Sequence, residues 1–173
     1  MRNLLKLVIL FLVLTLISLM IVGIIRKSNE RKLAKERIET LPDFSFKTIY
    51  DSIFSRNQIK NGPVLILFFN PECEHCQYQV QALIENREAI SDVLVLMISN
   101  AGKEIVMDFI KSNNLLDFPR LVVLLDDTHS FGKFFGTETI PASFIYDKKL
   151  KLKKYFHGEV IFETILSYLK GND

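Results

Sequence analysis

The most informative stretch of this 173-residue chain reads Val64-Leu65-Ile66-Leu67-Phe68-Phe69-Asn70-Pro71-Glu72-Cys73-Glu74-His75-Cys76. Its first six residues are all apolar, which is typical of a strand that is covered on both faces of a sheet. The only two cysteines of the chain follow that strand, three positions apart. Helical spacing of apolar residues continues over residues 76–90. The stretch therefore predicts a strand-to-helix junction that carries a Cys-x-x-Cys dithiol.

Two thiols at such a junction can form and break a disulfide with little movement of the backbone. The N-terminus of a helix stabilises the thiolate, which is the reactive form of cysteine. Cys73 is therefore the expected nucleophile, and Cys76, one turn further in, is the thiol that resolves a mixed disulfide. A structural disulfide is a poorer interpretation, because so short a loop constrains the unfolded chain very little. The pattern indicates thiol-disulfide exchange.

The two residues between the cysteines are expected to tune this pair. His75 can carry a positive charge that stabilises the Cys73 thiolate, whereas Glu74 places a negative charge beside the same sulfur. These effects oppose each other. Dithiol proteins that exchange disulfides have reduction potentials from about −270 to −120 mV, and the sequence does not place this pair within that range.

The composition limits the possible partners. The formal net charge is +2, which gives no reason to expect nucleic acid as a partner. Nothing in the sequence predicts a cofactor. The chain is long enough for one domain with a substantial hydrophobic core, even without its N-terminal segment.

The N-terminal segment has the character of a membrane anchor. Residues 7–25 are almost wholly apolar, long enough to cross a bilayer as a helix, and preceded by Arg2 and Lys6. No small-x-small cleavage site ends the run, so an uncleaved single-pass anchor is expected over residues 1–27. A charged tether over residues 28–40 and a folded domain over residues 41–173 follow it. Six lysines and arginines after the apolar run, at positions 26–37, taken alone, place the domain in the cytoplasm.

Periodicity and turn residues predict the elements of that domain. An early alternation of strands and helices followed by a late hairpin predicts an α/β fold with a mixed sheet flanked by helices. The expected strands are residues 43–49, 64–69, 93–98, 120–125, 142–146 and 150–157, and the expected helices are residues 76–90, 103–112, 130–135 and 159–170.

The order of these elements resembles that of the thioredoxin-like proteins of the TlpA/ResA type, within the redoxin or AhpC/TSA superfamily. Pro42-Asp43-Phe44-Ser45 is similar to the opening strand of that family, and residues 63–76 are similar to its active-site strand and redox motif. Thr139-Ile140-Pro141-Ala142-Ser143-Phe144-Ile145-Tyr146-Asp147 resembles its proline-containing strand, and Phe156-His157-Gly158 resembles the end of its hairpin. The similarity covers about three quarters of the chain.

The resemblance implies a membrane-anchored thiol-disulfide oxidoreductase. Its partners would be protein thiols and disulfides and a membrane or soluble electron donor. It also implies a cis peptide bond between Ile140 and Pro141, set against the dithiol. It favours the periplasmic side of the membrane for the domain, in conflict with the distribution of positive charge. The residue three positions after the second cysteine, a proton-handling glutamate in ResA-type proteins, is Gln79 here, which questions the reductase role of that subgroup.

Two other functions remain open at the level of sequence. A thioredoxin-fold metallochaperone could bind Cu(I) through both thiolates and a histidine, with His157 as the candidate third ligand. The spacing of the cysteines argues against it, because the usual chaperone motif has one more residue between them. A peroxiredoxin-like peroxidase is the third possibility. Such enzymes need a threonine three residues before the reactive cysteine, where this chain has Asn70.

Overall fold

The structure is a computed structural model that describes residues 6, 15–25, 33, 35–60 and 62–171. The chain divides into two compact units, Met1–Glu36 and Arg37–Asp173. In the first unit, residues 15–25 are helical. The predicted anchor lies partly outside the described residues, since residues 7–14 are not among them. Among the residues that are described, no helix combines the length and the apolar character needed to span a bilayer.

The second unit is an α/β domain built on one seven-stranded sheet. Its strands, in chain order, are β1 (Ser45–Thr48), β2 (Ile53–Ser55), β3 (Val64–Phe69), β4 (Leu94–Ser99), β5 (Leu121–Leu125), β6 (Ala142–Tyr146) and β7 (Leu152–His157). Its α-helices are α1 (Glu74–Glu85), α2 (Lys103–Ser112), α3 (Phe131–Phe135) and α4 (Phe162–Leu169). Short 3-10 turns cover Arg56–Gln58, Arg87–Ile90 and Leu115–Asp117.

The sheet is mixed, with the spatial order β2-β1-β5-β4-β3-β6-β7. Strands β3, β4 and β5 are parallel, so their carboxyl ends meet at one edge of the sheet. Strand β6 runs antiparallel to β3, and β7 runs antiparallel to β6. Strand β1 is antiparallel to both β5 and β2. The prediction of an α/β domain with helices flanking a mixed sheet is confirmed, whereas the transmembrane helix predicted before it is not shown by the described residues.

Strand β3 lies inside the sheet and is buried along its whole length, because the apolar side chains on each of its faces pack into a hydrophobic core. Leu65, Leu67 and Phe69 belong to a core that also contains buried residues of α1, α2 and α4. Ile66 and Phe68 belong to a second core, on the face covered by α3 and by residues 38–44. Burial on both faces explains why this strand reads as an unbroken apolar run.

Several boundaries differ from the sequence-based predictions. The helix expected over residues 76–90 begins at Glu74 and ends at Glu85, and Arg87–Ile90 is a separate 3-10 turn. The last helix begins at Phe162 rather than at residue 159, because residues 158–160 follow β7 and bond to the site described below. Strand β2 was not predicted. Its three residues are too few for a period, and it exists by pairing with β1.

Candidate functional site

The dithiol lies where the carboxyl end of β3 passes into α1. Cys73 is the N-cap of that helix, with extended backbone angles (φ −89°, ψ 117°), and it is partly exposed. Cys76 lies in the first turn and is fully buried. Both are free thiols. One sulfur is therefore accessible to a partner at the positive end of a helix dipole, and the other lies behind it.

The buried thiol is held in its neutral form. Burial raises the pKa of Cys76 to about 12, because a thiolate there would lose its hydration. The Asn70 backbone N–H, 3.5 Å from the Cys76 Sγ, acts in the opposite direction, and the hydrogen bond and charge of Cys73 raise the pKa further. At neutral pH, Cys76 is a thiol that must lose a proton before it can attack.

A turn built on Asn70 and Pro71 connects the strand to the helix. The Asn70 side-chain Oδ1 accepts the backbone N–H of Glu72 at 2.9 Å, and the Asn70 carbonyl accepts that of Cys73 at 3.1 Å. The Gln77 side-chain amide donates to the Pro71 carbonyl at 2.7 Å. The polar groups of Asn70, the residue at the peroxidase threonine position, are thus used to shape the turn that presents Cys73.

The proline loop approaches the same edge of the sheet. The Ile140–Pro141 peptide bond is cis, as predicted. Ala142, the next residue, pairs with Phe68 near the end of β3, and Ile140 packs against both hydrophobic cores. Register therefore brings the cis-proline loop to the end of the strand that carries the dithiol.

The two residues between the cysteines have partners of their own. The His75 Nδ1 lies 2.8 Å from the Glu159 Oε2, an exposed hydrogen-bonding contact. The Glu74 carboxylate accepts a hydrogen bond from the Tyr78 hydroxyl at 2.9 Å, which raises the pKa of Tyr78. The sequence suggested that both side chains act on Cys73, whereas the contacts that the structure describes for them lead to Glu159 and to Tyr78.

Three consecutive residues after β7 connect the parts of the site. The Gly158 N–H donates to the Pro141 carbonyl at 2.8 Å. Glu159 pairs with His75, and the Val160 N–H donates to the Gln79 Oε1 at 3.0 Å. The segment therefore binds the cis-proline loop and the first two turns of α1 at once. Sequence reasoning missed the role of Glu159, since nothing in the sequence links residues 84 positions apart.

The structure gives no support to a histidine as a third metal ligand beside the dithiol. Across residues 35–60 and 62–171 and the other described positions, no three His, Cys, Asp or Glu side chains converge as metal ligands do. His157, the candidate ligand, ends β7, and its ring lies edge-on to that of Tyr155, with 5.1 Å between the centroids.

The fold and the position of its two cysteines define a thioredoxin-like redoxin domain. A model of the AhpC/TSA family matches residues 39–155, and the chain belongs to that family. None of the curated proteins searched matches the chain.

Solved structures share this fold at low sequence identity. A secreted disulfide oxidoreductase of Mycobacterium tuberculosis, homologous to DsbE, has a TM-score of 0.63 and 17% identity over 79% of this chain and 98% of its own. DsbF of the same organism has a TM-score of 0.65 and 16% identity over 79% and 97% of the two chains. StoA of Bacillus subtilis has a TM-score of 0.59 and 22% identity over 75% and 98%.

Proposed function

We propose that this chain is a membrane-anchored thiol-disulfide oxidoreductase of the TlpA/ResA type that acts on exported proteins through Cys73 and Cys76. The observation that carries the proposal is the asymmetry of the two thiols. Cys73 is accessible at a helix N-terminus, and Cys76 is buried with a raised pKa. That asymmetry suits an attacking thiol and a resolving thiol.

The exchange proceeds in two balanced steps. The Cys73 thiolate attacks one sulfur of a partner disulfide, which forms a mixed disulfide and releases a partner thiolate. That thiolate is a base that can take the proton of the buried Cys76 thiol. The Cys76 thiolate then attacks the Cys73 Sγ, so that a Cys73–Cys76 disulfide forms and the second partner sulfur leaves as a thiolate. Two electrons pass from the dithiol to the partner.

The relatives and the N-terminal segment support the rest of the proposal. The structural relatives include a secreted disulfide oxidoreductase. Within residues 15–25, apolar side chains such as Leu19 (71% exposed) and Ile24 (64%) lie uncovered. Exposed apolar side chains on a helix are suited to lipid. We infer single-pass anchoring with the domain on the extracytoplasmic side, where it would keep exported thiols reduced.

A trapping experiment tests the chemistry. The Cys76→Ser variant should accumulate a mixed disulfide with a disulfide-containing protein, because the resolving thiol is gone. The matched Cys73→Ser variant should form none, because its remaining thiol is buried. Two results together would overturn the proposal: Cys76→Ser traps no partner, and the unmodified chain forms no Cys73–Cys76 disulfide at any redox poise.

The reduction potential decides the direction of electron flow. We would equilibrate the full chain in detergent with glutathione or dithiothreitol buffers and count free thiols by mass. A potential below about −250 mV supports a reductant, and one above about −180 mV indicates an oxidant or isomerase instead.

A further inference from the structure

The turn between β6 and β7 concentrates positive charge. Residues 147–154 contain five lysines and a single acid, Asp147, for a net charge of +4, whereas the whole chain carries only +2. The lysines are Lys148, Lys149, Lys151, Lys153 and Lys154, and four of them are exposed while Lys153 is half-buried. We call residues 147–154 the basic hairpin.

The basic hairpin lies at the end of the sheet opposite to the dithiol. Tyr146, the residue before the hairpin, pairs with Val64 at the start of β3, whereas Cys73 follows the end of that strand. A six-residue strand spans about 20 Å. A surface that contacts the hairpin therefore leaves the dithiol accessible.

A cavity of about 460 Å³ lies beside the hairpin, between the end of β6 and the end of α4. Lys148, Lys153 and Lys170 line it, together with Asp92 and Asp147. The Asp147 Oδ1 already accepts two backbone N–H groups from residues of the hairpin, at 2.8 and 2.9 Å. The cavity thus has an excess of cations, which suits a phosphate group.

The N-terminal segment enters the domain at this hairpin. The Leu41 N–H donates to the Leu150 carbonyl, and the Leu152 N–H donates to the Glu39 carbonyl, both at 2.9 Å. The Lys151 Nζ also donates to the Thr40 Oγ1 at 2.8 Å. Only 13 residues lie between Ile25 and Glu39, a length that reaches about 20 Å as a helix and at most about 50 Å when extended.

We propose, on the basis of the membrane anchoring proposed above, that the basic hairpin is a docking surface for the anionic lipid headgroups of that membrane. Clusters of lysine close to a membrane anchor are attracted to anionic lipid. Nucleic acid fits this surface less well, because single-stranded binding uses open aromatic rings. Here the Lys154 ammonium lies 5.7 Å from the ring centroids of Phe156 and Tyr168, which pack on each other. Docking would orient the dithiol away from the bilayer.

The test measures lysine accessibility in the full chain. We would reconstitute it in nanodiscs of phosphatidylcholine alone or with phosphatidylglycerol, and follow trace acylation by a water-soluble ester with mass spectrometry. Anionic lipid should slow labelling of Lys148 and Lys149 at least about fivefold, the factor for one lysine at such a surface. Lys111 and Lys133 should be unaffected. About 1 M salt, which shortens the screening length to about 3 Å, should abolish the difference.

A matched pair of variants tests the charge directly. Lys148→Gln/Lys149→Gln should weaken docking about 25-fold. Lys154, an exposed lysine of the hairpin that docking should also protect from labelling, would then be labelled in anionic nanodiscs as fast as in neutral ones. Lys111→Gln/Lys133→Gln removes the same charge elsewhere and should leave that protection intact. If both double variants lost the protection of Lys154 equally, only net charge would matter, and a defined docking surface would be contradicted.

Three results with the unmodified chain would also overturn the proposal. One is equal labelling of the hairpin in both kinds of nanodisc. Another is equal protection by neutral lipid, which would remove charge as the cause. The third is the same protection by inorganic phosphate or a DNA oligonucleotide without lipid, which would indicate a soluble anion or nucleic acid. None of these depends on thiol exchange, so they leave the proposed function untouched.

Discussion

At the scale of single residues, this domain buries several polar groups without a hydrogen-bond partner. Within the part of the chain that the structure describes, these are the Tyr146 hydroxyl, the Ser143 hydroxyl and the Gln79 side-chain N–H. A buried polar group that makes no hydrogen bond costs about 1–3 kcal/mol. Gln79 differs from the other two because its oxygen has a partner, the Val160 N–H, and because it lies one turn beyond Cys76.

The Tyr146 hydroxyl is expected to destabilise the fold. Tyr146→Phe removes that group and keeps the ring in a fully buried position. We expect urea denaturation to show a free energy of unfolding higher by about 1 kcal/mol. Tyr50→Phe, at a residue that is 71% exposed, is the control and should change it by less than about 0.5 kcal/mol. A loss of stability in Tyr146→Phe would mean that the hydroxyl is satisfied after all.

Gln79→Glu should make stability depend on pH. The carboxylate can still accept the Val160 N–H, but burial raises the pKa of a carboxyl group above its unfolded value of about 4.3. A raised folded-state pKa gives stability that is present below the unfolded pKa and is lost as pH rises. We expect the variant to match the parent near about pH 4 and to be less stable by more than about 1 kcal/mol near about pH 8.

The exposed Gln81→Glu variant on the same helix controls for added charge. Its new carboxylate faces Glu85 one turn away, which costs only about 0.5 kcal/mol. A pH dependence of equal size in both variants would contradict the assignment of the Gln79 effect to burial.

At the scale of elements, a buried aspartate fixes the short helix that covers one face of the sheet. Asp126, at the end of β5, is 1% exposed. Its carboxylate accepts three hydrogen bonds, from the Ser130 N–H and hydroxyl and from the Phe131 N–H, at 2.8–3.0 Å. Phe131 then stacks on Phe68 of β3, with 3.9 Å between ring centroids. One carboxylate thereby positions an aromatic contact that α3 is too short to secure by itself.

Asp126→Asn should cost about 2–3 kcal/mol, because an amide has only one oxygen to accept these bonds and leaves a buried donor unpaired. Urea denaturation measures the change. Asp127→Asn, next in sequence, loses only an exposed ion pair with Lys47, which is worth about 0–1 kcal/mol. If the two variants were equally stable, the buried hydrogen bonds of Asp126 would not be what holds α3.

The elements that sequence predicted well are those with a strong local signal. Residues 64–69 are a strand and residues 103–112 a helix with the predicted bounds, because an unbroken apolar run and a clear helical period each point to one structure. The dithiol was likewise found from a local motif, whereas the cis Ile140–Pro141 bond was predicted from the resemblance to a known family. Contacts between distant residues, such as His75 with Glu159, follow from the register of the whole sheet and have no local signal.

At the scale of the whole molecule, the redox state should change how stability responds to pH. The folded-state pKa of Cys76 is raised from 9.0 to about 12. The raised pKa of Cys76 contributes to the stability of the reduced protein, and this contribution is fully present below about pH 9. It is lost between pH 9 and about 12, because there the unfolded chain releases the thiol proton more readily than the folded chain does. Oxidation leaves no thiol to ionise.

We expect the reduced form to lose more stability than the oxidised form between about pH 8 and 10, measured by urea denaturation with and without a phosphine reductant. Tyr146, whose pKa burial also raises, contributes equally to both forms and cancels. A Cys73→Ser variant retains Cys76 and should behave like the reduced form. If the free energy of unfolding changed with pH in the same way in both redox states, a buried, neutral Cys76 would be contradicted.

The interior position of β3 has a consequence for motion. Its amides pair with β4 on one side and β6 on the other, so in deuterated water they should exchange only when the whole domain opens. Cys73, the proposed nucleophile, lies four residues beyond the end of this strand, in a hydrogen-bonded turn, and has little freedom to search for a disulfide. Under the proposed function, the adjustment that brings three sulfurs into line would then come from the substrate, which would favour disulfides in flexible or incompletely folded chains over those locked inside a finished protein.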